Sequence, residues 1–185
     1  MAVIAILIIV IVVASTGIGL YVLGGSAEEE PLPPNETEAY SKYGVSIEYP
    51  KNLRIIEQGY LDATTNDNSG LVTGWQAEPF EEFTVLWEKK STPATREDFK
   101  NALDEVSTSS DYKKTGTLIE TTKSGHLMLY QQYVDPEESP PQSLILGVWY
   151  CDIDEKIYYL SNKQATQQNS LQIFERYLES FVCHW

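Results

Sequence analysis

The chain has 185 residues, of which 42% are hydrophobic and 11% aromatic, a composition typical of a folded globular protein. Its 27 acidic and 13 basic side chains give a net charge of −14 at pH 7. Nucleic acids and anionic lipid surfaces are bound through clustered lysines and arginines, so this charge argues against both as partners.

The N-terminal stretch Ala2–Leu23 contains no charged and no amide side chain. A helix of this length would extend roughly 33 Å, enough to cross a bilayer core of about 30 Å. A signal peptide has a shorter apolar run behind basic residues, and no basic residue precedes this stretch. We therefore predict a transmembrane anchor over residues 1–25. A signal peptide cleaved after Ala14 or Ala27 is the alternative.

Residues 26–39 predict an acidic, proline-rich stalk. They include Glu28, Glu29 and Glu30, followed by the run Pro31–Pro34, and such a composition favours an extended, solvated linker. The sequon Asn35-Glu36-Thr37 makes Asn35 a candidate for glycosylation. Together with the two cysteines, it indicates a single-pass protein of the cell membrane with its C-terminal domain outside the cytoplasm.

The remaining residues, 40–185, predict one domain that begins with strands. Alternating apolar and polar residues favour a strand over Gly44–Tyr49, which ends before Pro50. Further strands are predicted over Leu53–Glu57, Leu71–Gln76, Glu82–Lys89, Thr115–Thr121, His126–Val134, Leu144–Cys151 and Lys156–Leu160. Because their connections are short, we expect an antiparallel sheet of about six strands.

Two helices interrupt and close this strand pattern. Thr95 and Asp98 have the spacing of a capping box, and a buried stripe follows at Phe99, Ala102, Leu103 and Val106. A last helix is predicted over Gln168–Phe181, with a buried face formed by Leu171, Phe174, Leu178 and Phe181. The element order predicts an α+β domain, a sheet flanked by helices.

The stretch Tyr43–Pro50, with the sequence YGVSIEYP, resembles the opening strand of PsbP-like domains. The end of the last helix, Leu178–Phe181, is also similar, and the resemblance covers about Tyr40–Val182. Leu53 stands near the position where the family usually has a tryptophan. The resemblance implies an α/β/α sandwich and an accessory or binding role without catalysis. It does not imply a photosystem function, because the plant protein has no counterpart of the anchor and stalk.

The two cysteines, Cys151 and Cys183, are predicted to form a disulfide, since paired cysteines are usual in exported domains. Two buried thiols are an alternative. A metal site that adds His184 and either Asp152 or His126 is another, although the usual Cys-x-x-Cys spacing is absent. We predict no cofactor and no metal.

No catalytic motif stands out in the sequence. His126 and His184 are the two histidines, and Ser124 beside His126 is better explained by a hairpin turn than by a triad. Neighbouring carboxylates such as Glu81 and Glu82 are expected on the solvated surface.

The sequence therefore predicts a non-catalytic, membrane-anchored binding or accessory module. Its partner, a protein or a small molecule, stays open. A small extracytoplasmic hydrolase or metal-dependent enzyme is the first alternative, and a pilin-like surface component is the second.

Overall fold

A computed structural model describes residues 36–58, 65–165 and 169–183 of the chain. The strands are β1 (Thr37–Lys42), β2 (Val45–Pro50), β3 (Arg54–Gln58), β4 (Ser69–Gln76), β5 (Glu81–Lys89), β6 (Lys113–Lys123), β7 (His126–Asp135), β8 (Gln142–Cys151) and β9 (Lys156–Gln164). The helices are α1 (Arg96–Ser109) and α2 (Ser170–Ser180). The α+β class is thereby confirmed.

Seven of the strands form one antiparallel sheet in the order β3-β4-β5-β9-β8-β7-β6. Strands β3 to β5 make one meander and β6 to β9 make another. Helix α1 carries the chain from β5 to the far edge of the sheet, so β9 returns to pair with β5. The short turns thus explain the antiparallel pairing expected from the sequence.

Alternation along the strands gives the sheet two apolar faces. On one face, Phe83, Val85 and Trp87 of β5 pack in a core that includes residues of α2 and of the β1–β2 hairpin. On the other face, Leu86 belongs to a core completed by the buried stripe of α1. Helix α1 and helix α2 therefore lie on opposite faces of the sheet.

Helix α1 begins as the sequence predicts. Thr95 Oγ1 accepts a hydrogen bond from the backbone N–H of Asp98, and the Asp98 carboxylate accepts one from the backbone N–H of Thr95. This reciprocal pair is a complete capping box. The predicted stripe is also confirmed, because Phe99, Ala102, Leu103 and Val106 are buried.

The eight strands predicted individually correspond to β2–β9, but the prediction of a sheet of about six strands was too low. The sheet has seven strands, and β1 with β2 adds a separate two-stranded sheet. Strand β1 begins at Thr37, inside the segment assigned to the stalk. Among its six residues only Tyr40 is buried, so its sequence carries no alternation from which a strand could be recognised.

The buried face of the last helix differs from the predicted face. Its buried residues are Ser170, Phe174 and Tyr177, whereas Leu171 is 37% exposed. Tyr177 can occupy the core because its hydroxyl donates a 2.5 Å hydrogen bond to Glu81 Oε1. Phe174 and Phe181 are buried as expected.

The predicted anchor and most of the stalk lie outside the described residues. Within the described ranges, no helix has the length and hydropathy needed to cross a membrane.

Candidate functional site

The pairing of β7 with β8 brings a histidine and a cysteine to the same end of the sheet. Met128 lies opposite Trp149 in this pair. Extending the register by two residues places His126, the first residue of β7, opposite Cys151, the last residue of β8. Because side chains alternate along a strand, both residues lie on the face that α2 covers.

The second cysteine reaches this point through the packing of α2. The helix ends at Ser180, and the buried Phe181 follows it. Val182 then forms two backbone hydrogen bonds with Ser46 of β2, at 2.8 and 3.0 Å. These contacts fix the chain as it passes the end of the sheet and bring Cys183 to His126 and Cys151.

The three side chains form one compact cluster. A ring nitrogen of His126 and the Sγ atoms of Cys151 and Cys183 all lie within 4.8 Å of one another. Both cysteines are 0% exposed. The side chain of His126 is 12% exposed, and its Nδ1 lies 3.2 Å from Oδ1 of the largely exposed Asp152. The cluster is therefore a thiol–thiol–imidazole site with a carboxylate behind the imidazole.

Burial and neighbouring groups raise the pKa of one thiol of this cluster. Desolvation, together with the hydrogen bond and the charge interaction with Cys151, raises the pKa of the Cys183 thiol to about 12. Asp154 adds to this shift. Nearby, desolvation lowers the pKa of Lys123, although Cys183 and Glu179 act in the opposite direction. At neutral pH Cys183 is therefore a thiol rather than a thiolate.

Three aromatic rings share the buried core with the two cysteines. Trp149 stacks on Tyr158 at 5.5 Å, and Phe181 contacts both rings edge-on at 5.0 and 5.4 Å. The Tyr158 hydroxyl lies 2.9 Å from Asp154 Oδ2 and 3.4 Å from the carbonyl oxygen of Cys183. The two cysteines thus lie in an aromatic core, whereas Asp152 is largely exposed to solvent.

Three kinds of chemistry are available to such a cluster. Two adjacent sulfurs can be oxidised to a disulfide, two thiolates and an imidazole can coordinate a metal ion, and a thiol beside an imidazole can act as a nucleophile. The structure brings Cys151 and Cys183 together as the disulfide prediction requires, and the bond itself stays a prediction. Asn35 and His184 lie outside the described residues.

A second group of ionisable side chains is buried in the opposite face of the sheet. Glu82 of β5 lies opposite Lys163 of β9, and both are less than 10% exposed. Desolvation raises the pKa of Glu82 to about 7, with a smaller opposing effect from Lys163. Desolvation lowers the pKa of Lys163, whose Nζ lies 5.6 Å from the Phe80 ring and 5.8 Å from the Tyr112 ring. The expectation that Glu82 is solvated was therefore wrong.

A shallow depression of about 300 Å³ lies between the β1–β2 hairpin and α2. Glu48 and Tyr49 line one side, and Arg176 and Glu179 line the other. Arg176 Nη2 lies 3.8 Å from Glu81 Oε1. This depression is open and carries charges of both signs, and it is separate from the thiol–thiol–imidazole site.

Comparisons with known proteins give little that bears on this site. No protein-family model matches the chain, and no curated protein is similar enough to count as a match. Among solved structures, the Ran-binding protein Mog1p of Saccharomyces cerevisiae is similar at 9% identity and a TM-score of 0.49, over 81% of this chain and 97% of that one. The Pseudomonas aeruginosa protein PA94, of unknown function, is similar at 11% identity and a TM-score of 0.42, over 76% and 90%. Likenesses this distant support no statement about function.

Proposed function

We propose that this protein is a non-catalytic binding or accessory module of the PsbP-like kind, held on the outer side of a membrane by its N-terminal segment. The apolar stretch Ala2–Leu23 supports the anchor, and the sequon at Asn35 supports the outward orientation. The resemblance of Tyr43–Pro50 to the first PsbP-like strand supports the family and the sandwich architecture. The partner or ligand is a protein or a small molecule.

The observation that carries the non-catalytic role is the burial of the cysteines in the thiol–thiol–imidazole site. A catalytic nucleophile has to contact a substrate, and both Cys151 and Cys183 are 0% exposed. The rings of Trp149, Tyr158 and Phe181 belong to the same buried core. Such an arrangement is suited to holding a group in place rather than to attacking a bound substrate.

One observation favours a second candidate, a small hydrolase. In space, the Cys183 thiol lies beside the His126 imidazole, which in turn contacts the Asp152 carboxylate. Nucleophilic catalysis by cysteine uses the same arrangement of thiol, imidazole and carboxylate. For such an enzyme the cluster would have to open so that a substrate could reach the sulfur. A hydrolase would also depend on His126 as its general base.

An assay of the full chain in detergent decides between these two functions. We expect no hydrolysis of an ester, phosphate and peptide panel above that of a detergent blank, for the wild type and for His126→Gln alike. Glu155→Gln, an exposed substitution in the turn that follows Cys151, is the control for a general effect of mutation near the cluster. Hydrolysis that disappears in His126→Gln and persists in Glu155→Gln would establish the enzyme and refute the binding module.

A further inference from the structure

We propose that Cys151, Cys183 and His126 bind one zinc ion. This inference rests on the proposed binding function and names a ligand for it. The three ligand atoms come from the end of β8, the segment after α2 and the start of β7, and they lie within 4.8 Å of one another. Thiolate sulfur and imidazole nitrogen are the ligands that zinc prefers in proteins.

The dimensions of the cluster fit a tetrahedral ion. With zinc–sulfur bonds of about 2.3 Å and zinc–nitrogen bonds of about 2.0 Å, ligand atoms in a tetrahedral site lie about 3.5–3.8 Å apart. The observed upper limit of 4.8 Å therefore requires only small side-chain movements for an ion to be held. Three protein ligands leave the fourth position to a water molecule.

The charge of the site favours a divalent ion such as Zn²⁺ over a monovalent thiophilic ion. Two thiolates and one neutral imidazole carry a charge of −2, which a divalent ion neutralises completely. Cu⁺ would leave a net negative charge among side chains that are fully buried, and an uncompensated buried charge is costly. Binding Zn²⁺ releases the protons of both thiols, so each ion displaces up to two protons.

The carboxylate behind His126 is typical of a metal-binding histidine. Asp152 Oδ1 lies 3.2 Å from His126 Nδ1, and metal-bound histidines commonly donate their second ring N–H to a carboxylate. With Nδ1 directed at Asp152, the solvent-shielded Nε2 is the nitrogen that coordinates the ion.

Metal binding by the full chain tests the site directly. The protein is purified in detergent, reduced, freed of metal with a chelator and titrated with Zn²⁺ against a chromophoric competitor. We expect one ion per chain, and with Co²⁺ in its place we expect the charge-transfer absorption of thiolate ligands. His126→Ala and Cys183→Ser should each weaken Zn²⁺ binding by 100-fold or more. Circular dichroism establishes that each variant is folded, and His126→Ala, which keeps both sulfurs, decides the outcome if Cys183→Ser is unfolded.

A matched pair of variants separates Asp152 from a general effect of charge. Asp152→Asn should lower the Zn²⁺ affinity by about 10- to 100-fold, the usual effect of removing a carboxylate that orients a histidine ligand. Glu155→Gln removes an exposed carboxylate from the same turn, which joins β8 to β9, and should leave the affinity unchanged. Equal losses in both variants would refute the positioning role of Asp152.

The site is refuted if His126→Ala binds Zn²⁺ as tightly as the wild type. It is also refuted if protein taken from its native membrane carries a Cys151–Cys183 disulfide instead of two thiols that can be alkylated after denaturation with a chelator. Either result leaves the proposed binding function standing. If the zinc-loaded protein hydrolyses the ester, phosphate or peptide panel, the zinc site is supported and the proposed non-catalytic function is wrong.

Discussion

Glu82 is a carboxyl group whose ionisation opposes folding. Its side chain is buried in β5, and desolvation raises its pKa from 4.5 to about 7. In the unfolded chain the group loses its proton near pH 4.5, whereas in the folded protein it keeps the proton until about pH 7. Between these values the folded state binds more protons, so the free energy of unfolding falls as the pH rises.

The variant Glu82→Gln should remove this dependence. The difference between 4.5 and about 7 corresponds to about 3 kcal/mol, so the variant should gain about that much stability relative to the wild type between pH 4.5 and pH 8. Urea denaturation at several pH values measures the difference, with the exposed Glu137→Gln as control. If the free energies of unfolding of the wild type and of Glu82→Gln change with pH in parallel, Glu82 ionises normally and the prediction is wrong.

At the scale of elements, the start of α1 is the feature that the sequence describes most fully. Thr95 and Asp98 are bonded to each other through side chain and backbone in both directions. The Thr95 hydrogen bonds lower the pKa of the Asp98 carboxyl, so the cap weakens as acid protonates it. A cap of this type contributes about 1 kcal/mol.

We expect Thr95→Ala to lower the free energy of unfolding by about 1 kcal/mol, because a backbone N–H of the first turn loses its acceptor. The midpoint of urea denaturation measures this change. Ser91→Ala, an exposed position in the same connection, is the matched control and should leave the midpoint unchanged. A Thr95→Ala midpoint equal to that of the control would mean that the capping box does not stabilise α1.

Local sequence patterns are sufficient to predict α1 and the strands in which apolar and polar residues alternate. They are not sufficient to predict features that depend on contacts between distant elements. The face of α2 is set by the sheet beneath it: a Cβ added at Gly147 of β8 would lie 3.0 Å from Phe174 Cζ. That close approach places Phe174 and Tyr177 over the sheet and turns Leu171 outward. No periodicity within the helix contains this information.

The same distinction applies to the candidate site. The sequence singled out Cys151 and Cys183, since cysteine spacing and compartment are visible in it. His126 was one of several candidates for a third ligand, because its place beside Cys151 depends on the register of β7 against β8. One predicted strand begins with His126 and the next ends with Cys151. If these two strands form a hairpin, their open ends bring the two residues together, which weakly indicates the pairing. The burial of Glu82 had no such signal.

At the scale of the whole molecule, the described domain begins at Glu36. The carbonyl oxygen of Glu36 accepts a 2.9 Å hydrogen bond from the backbone N–H of Lys51, and β1 begins at the next residue. A chain that starts after Thr37 would lack part of the two-stranded β1–β2 sheet. A chain that starts at Glu36 keeps every described strand. Comparing it with the full chain therefore tests the N-terminal segment alone.

We predict that the full chain stays in the membrane fraction after washing with high salt and alkaline carbonate, whereas the chain starting at Glu36 is recovered in the soluble fraction. The physical reason is the cost of moving the apolar side chains of Ala2–Leu23 from lipid into water. Replacing Ile8, Ile9 and Val12 with arginine gives a full-length control, because each central arginine costs about 2.5–3.5 kcal/mol on insertion. This control should also be soluble. The anchor would be refuted if the protein isolated from its native source were soluble and its mass placed the first residue at Ser15 or Glu28. Such a result would identify a cleaved signal peptide.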